Sequence, residues 1–61
     1  MTLSNLMRQV LLDIAEGRGT HHNCHGRSEH GGRSRVLTAL MRRKLIDHEY
    51  RLTALAREVL K

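Results

Sequence analysis

The sequence predicts a small, mainly α domain of the α+β class, with three helices and one short β-hairpin, from three observations. Sixty-one residues allow one domain near the lower size limit for a hydrophobic core without disulfides or metals. There is no Trp or Phe and one Tyr, so the core is built from Leu, Val, Ile, Met and Ala, which suits packed helices better than a β-sandwich. Two stretches repeat apolar residues at helical spacing, and after Lys44 that period breaks. The expected order over residues 1–61 is a core helix (1–17), a Gly/His-rich loop (18–32), a second helix (33–45), a short hairpin (46–53) and a C-terminal helix (54–61).

In the first helix, Leu3, Leu6, Met7, Val10, Leu11 and Ile14 follow the i, i+3, i+4, i+7 spacing of one face. Thr2 is placed to cap its start, and Gly17 to end it in a left-handed conformation. Arg8, Gln9, Asp13 and Glu16 fall mainly on the solvent side, and Leu11 and Leu12 lie at the edge of the stripe.

From Gly17 to Gly32 no periodicity survives. The run GRGTHHNCHGRSEHGG holds all five glycines, four of the five histidines and the single cysteine, and reads as a long loop with at most a turn of helix near Arg27 to His30. A loop of this length inside so small a domain points to a binding role. His21, His22, Cys24, His25 and His30 are ligand types that zinc accepts, although HHxCHxxxxH lacks the paired spacing of recognised zinc motifs. The competing reading is a polar loop whose imidazoles meet solvent or phosphate.

Residues 33–45 restore the helix signal, with Ser34 as N-cap and Val36, Leu37, Leu40, Met41 and Leu45 as the apolar stripe. Arg35, Thr38, Ala39, Arg42 and Arg43 share the opposite face, with small residues at its middle, so that face can approach a groove closely. Next, Ile46 and Tyr50 flank Asp47 and His48 as β-formers around a tight turn. Thr53 then caps a last helix with Leu55, Val59 and Leu60 inward and Arg57, Glu58 and Lys61 outward.

The net charge of +5 is unevenly placed. Residues 18–44 hold Arg18, Arg27, Arg33, Arg35, Arg42, Arg43 and Lys44 against Glu29 alone. Such a concentrated positive field attracts polyanions, and the arginine fork favours phosphate and guanine. The plainer account of the same charges is a solvated helix face. No apolar run approaches the roughly 20 residues that span a bilayer, the start does not read as a signal peptide, and one cysteine cannot form an internal disulfide. The expectation is a soluble, cytoplasmic protein. Cys24 beside His25 has no third group to complete a nucleophilic site, and the carboxylates form no readable acid–base pair, so no enzyme is expected.

The order of a basic striped helix ending in RRKLID, a hairpin, and YRLTALAREVL resembles the back half of winged helix-turn-helix domains, broadly the MarR-like and PadR-like bacterial or phage regulators, over about residues 34–60. Lys44 and Ala56 stand where those families carry glycine, and the hairpin is far shorter than a typical wing. The helix that should precede the recognition helix would lie between Gly19 and Gly32, where no apolar stripe exists. The resemblance implies a small winged helix-like domain that binds double-stranded DNA as a transcriptional regulator or phage-like accessory factor, and a homodimer is expected because one half-site per 61-residue chain would bind weakly. It implies a DNA-facing set of Arg33, Ser34, Arg35, Thr38, Arg42, Arg43 and Arg51. Arg35 and Thr38 would meet base edges, while Arg42, Arg43 and Arg51 would hold phosphates. Two other functions fit the same residues. One is a protein interaction module on the same scaffold, with a seam at Leu11 and Leu12. The other is a metal-responsive switch through the His/Cys loop, with zinc as its ion.

Overall fold

A computed structural model describes residues 3–22 and 24–61 and contains three helices, α1 (Asn5–Ala15), α2 (Arg27–Arg42) and α3 (Ala54–Val59). Each helix begins and ends for a local chemical reason. Ser4 caps α1, its hydroxyl accepting the Met7 N–H at 3.1 Å. Thr2, the cap expected from the sequence, lies outside the described residues. At the other end Gly17 takes φ +80°, where a side chain would be strained, and the N–H groups of Gly17 and Arg18 return to the carbonyls of Ile14 and Asp13 at 3.2 and 2.8 Å.

The second helix is longer than its apolar stripe. It starts at Arg27, after Gly26 at φ +91°, and runs through Gly31 and Gly32. Ser34, expected as the N-cap, therefore lies inside the helix, and residues 27–32 are helical where a loop was expected. Each interior glycine costs about 1 kcal/mol relative to alanine. Contacts outside the helix offset that cost: Arg33 donates to the Thr20 carbonyl at 3.1 Å, and the His30 ring stacks on His21 with centroids 5.0 Å apart. Glu29, in the first turn, accepts the His25 N–H at 2.9 Å and places a negative charge at the helix N-terminus. No separate helix precedes α2 among the residues described between Gly19 and Gly26, so the two-helix unit implied by the resemblance is absent there.

Lys44 ends α2 in the left-handed region at φ +64°, with its N–H on the Met41 carbonyl and that of Leu45 on the Leu40 carbonyl, both at 3.0 Å. This is the cap geometry that glycine normally serves, held here by a β-carbon-bearing residue. Lys44→Gly is therefore expected to stabilise the fold by about 0.5–1 kcal/mol, read as a higher urea midpoint at unchanged slope. A lower midpoint would contradict the assignment.

The hairpin and wing expected over residues 46–53 are not formed. The described residues contain no strand, only one isolated antiparallel bridge between Ile46 and Leu52. The physical reason is local. The Asp47 carboxylate accepts the N–H groups of Glu49 and Arg51 at 2.9 and 3.0 Å, and Tyr50 turns the chain at φ +61°. Two residues after Arg51, Thr53 is drawn back to the end of α2, its N–H on the Leu45 carbonyl at 3.1 Å and its hydroxyl on the Lys44 carbonyl at 2.6 Å. The Thr53 N–H bond and the bond from the Asp47 N–H to the Arg51 carbonyl at 3.0 Å are the two bonds of the single Ile46–Leu52 bridge, and pairing goes no further because the turn starts at Asp47 and α3 at Ala54. The same Thr53 hydroxyl accepts the Ala56 N–H at 3.2 Å and caps α3.

The core consists of Val10, Leu11, Leu37, Leu40, Leu45, Ile46 and Ala56, with Leu3, Met7, Ile14, Val36, Met41, Leu52, Val59 and Leu60 packed around it. Leu11 is fully buried there, so it cannot form the apolar seam with a partner that its place at the stripe edge suggested. Leu6 and Leu55, both expected inward, are 49% and 43% exposed. In α3 the small Ala56 takes the inward position instead, which lets the short helix approach closely.

Asp13 is buried as well. Its place among the polar residues of α1 suggested solvent, yet it is only 1% exposed and accepts from Gln9 Nε2 at 2.9 Å and Arg18 Nε at 2.8 Å. Arg18 also contacts Glu16. Burial disfavours the Asp13 carboxylate, but the hydrogen bonds from Arg18 and Gln9, with the Arg18 charge, outweigh it and hold its pKa below the ordinary value. This cluster ties the chain after α1 back to the helix and removes Arg18 from the cations open to a ligand.

Candidate nucleic-acid interface

The outer face of α2 is shaped by the helix period. Ser34, Arg35, Thr38, Ala39, Arg42 and Arg43 line one shallow depression of about 460 Å³, while Leu37 and Leu40 on the opposite side anchor the helix in the core. Ser34, Arg35, Thr38, Arg42 and Arg43 are exposed and Ala39 is half-buried. No carboxylate lines the depression. Among the described residues, Arg35 and Arg42 form no hydrogen bond or ion pair within the chain, so both guanidinium groups are available to an external anion.

The hydroxyls on this face are differently disposed. Ser34 Oγ donates to the His30 carbonyl and Thr38 Oγ1 to the Ser34 carbonyl, each at 3.0 Å. Their hydrogens are thus directed along the helix, as is common for Ser and Thr in helix interiors.

Five of the seven residues in the DNA-facing set share this depression, and two lie elsewhere. Arg33 belongs to another face, where it lines a smaller hollow with Leu6, Cys24, Glu29 and Gly32 and holds the Thr20 carbonyl. Arg51 lies with Ile14, Ala15, Leu52, Arg57 and Leu60 around a hollow of about 550 Å³, and pairs with Glu49 at 3.7 Å. The grouping of Arg51 with Arg57 carries no signal in the sequence, because it arises from the packing of the ends of α1 and α3 against the turn. In that turn, hydrogen bonds from the backbone N–H of Arg51 and then of Glu49 outweigh partial burial and hold the Asp47 pKa below its ordinary value.

The histidine and cysteine residues do not form one cluster. His21 and His30 stack with planes 16° apart, and His21 Nδ1 lies 2.8 Å from Thr20 Oγ1. Cys24 Sγ is 3.9 Å from the Glu29 carbonyl, and His25 contributes its backbone N–H to Glu29. Among the described residues, no three His, Cys, Asp or Glu side chains are grouped to hold a metal, and the stacked pair offers two donors where zinc takes three or four protein ligands. Among the same residues, no helix is long and apolar enough to cross a membrane.

Among the described residues, three helices pack together and α2 presents a cationic face. No protein family matches this chain, and no curated protein or solved structure is similar to it.

Proposed function

We propose that this protein binds double-stranded DNA by placing the exposed face of α2 against the duplex, and that it acts in the cytoplasm as a small regulator or accessory factor. The observation that carries this reading is the depression on α2, where three arginines surround small side chains and no carboxylate intervenes. Flexible cations around a shallow, narrow-waisted helix face suit a groove bordered by phosphates, because the arginines reach outward while the helix axis comes close to the base edges. One chain offers one helix, about 24 Å long at 1.5 Å per residue. That length reads one half-site, so recognition of a particular site calls for two copies on adjacent turns of the duplex.

Fluorescence anisotropy with a labelled random duplex, titrated over salt, tests this. Binding at low salt is expected, with a log–log salt slope of about −2, one unit for each of Arg35 and Arg42. Titrating a short duplex to saturation should give two chains per duplex for the paired arrangement, and one chain would reject it. Absence of any binding at about 25 mM salt, where phosphate contacts are strongest, would overturn the proposal.

A further inference from the structure

We infer that Thr38 is a specificity-determining residue that reads the 5-methyl group of thymine, so that the α2 face selects duplexes with A·T pairs beneath its centre and G·C pairs or phosphates beneath its arginines. The inference rests on the DNA reading above and deepens it.

Three features of the depression lead there. First, its lining is mostly apolar although it includes three arginines, and Thr38 and Ala39 both belong to it. Second, the Thr38 hydroxyl already donates to the Ser34 carbonyl at 3.0 Å, and the Ser34 hydroxyl to the His30 carbonyl at 3.0 Å. A hydroxyl has one hydrogen, so neither can donate to guanine O6 and N7 or to thymine O4 without breaking a bond that the helix already makes. What remains for a base edge is the acceptor capacity of Oγ1 and the methyl group on the same β-carbon. Third, Ala39 adjoins it with a second methyl group.

In the major groove this combination has one matching base pair. Adenine N6 is a donor that Oγ1 can accept from, and the thymine 5-methyl group meets the threonine and alanine methyls, whereas guanine offers two acceptors to a surface that has no hydrogen to give at that point. Arg35 and Arg42, one turn to either side of Thr38 and without partners in the described chain, supply the donors that guanine or phosphate needs. Arginine provides the affinity, and the methyl group at the centre decides the sequence.

Selection of the full chain on duplexes with a randomised core, followed by replacement of the selected core thymines with deoxyuridine, isolates this contact. The replacement removes only the 5-methyl group and leaves base pairing, charge and backbone intact. Affinity is expected to fall about fourfold for each methyl group lost. Thr38→Ser keeps the hydroxyl and removes the methyl group, and should bring the thymine-to-deoxyuridine ratio close to one. Thr38→Val keeps a methyl group and should preserve the ratio. Position 38 is exposed, so both variants are expected to retain the circular dichroism of the parent. A ratio of one in the parent chain, or an unchanged ratio in Thr38→Ser, would overturn the inference while leaving DNA binding intact. Failure of the parent to bind any duplex would remove both.

Discussion

Neutralising Arg35 and Arg42 together, as Arg35→Gln/Arg42→Gln, is expected to weaken duplex binding about 100-fold, roughly tenfold for each cation. The log–log salt slope should fall by about two, because each neutralised contact releases one fewer counterion. Both side chains are exposed and form no hydrogen bond or ion pair among the described residues, so helix content and melting should change little. Arg8→Gln/Arg57→Gln removes the same net charge from exposed positions on α1 and α3, outside the depression. It separates placement from total charge. A placed site predicts a slope close to that of the parent for this control, whereas equal losses in the two double variants would show that only the net charge of +5 matters.

Asp13→Ala is expected to lower stability by about 2 kcal/mol, the usual cost of removing hydrogen bonds that involve a buried charged group. In a chain whose core supplies only about 3–5 kcal/mol, that is a large fraction of the total. The melting temperature should drop by about 10 °C. The pH dependence follows from the same groups. The folded-state pKa values of Asp13 and Asp47 lie below the ordinary 3.8, so between those values and 3.8 the unfolded chain binds more protons than the folded one. Their contribution is complete above the unfolded value and is lost as pH falls through the folded values. Thermal melts followed by circular dichroism should therefore hold steady from about pH 7 to pH 5 and decline below about pH 4, with a shallower decline in Asp13→Ala. An Asp13→Ala protein as stable as its parent, with the same acid limb, would show that the buried cluster contributes nothing.

Much of this molecule is legible from neighbouring residues alone. The stripe Val10, Leu11 and Ile14 identifies α1, the stripe Val36, Leu37, Leu40 and Met41 identifies the body of α2, and Thr53 caps α3. The shared face of Ser34, Arg35, Thr38, Arg42 and Arg43 follows from the same 3.6-residue period, because that geometry holds wherever a helix forms. Arg33 and Arg51 escaped that logic. The first is turned toward Thr20 by the period itself, and the second is separated from α2 by a reversal whose path the sequence leaves open.

The sequence alone was enough for a helical chain with Arg35, Arg42 and Arg43 sharing one helix face, since composition and short-range spacing depend on no distant contact. Tertiary structure decided the rest. Gly31 and Gly32 favour a loop by intrinsic propensity, and they are helical because Arg33 reaches Thr20 and His30 stacks on His21, contacts across residues far apart in the chain. Asp13 looks solvent-facing on a helical wheel, and it is buried because Arg18 folds back over the end of α1. A wing looks possible from Ile46 and Tyr50, and it is absent because the Asp47 carboxylate closes the turn directly after the single Ile46–Leu52 bridge, and Thr53 caps α3 directly after it. For Gly31, Gly32 and Asp13 a weak local preference gives way to contacts that exist only in the folded chain, whereas the missing wing follows from hydrogen bonds within the turn itself.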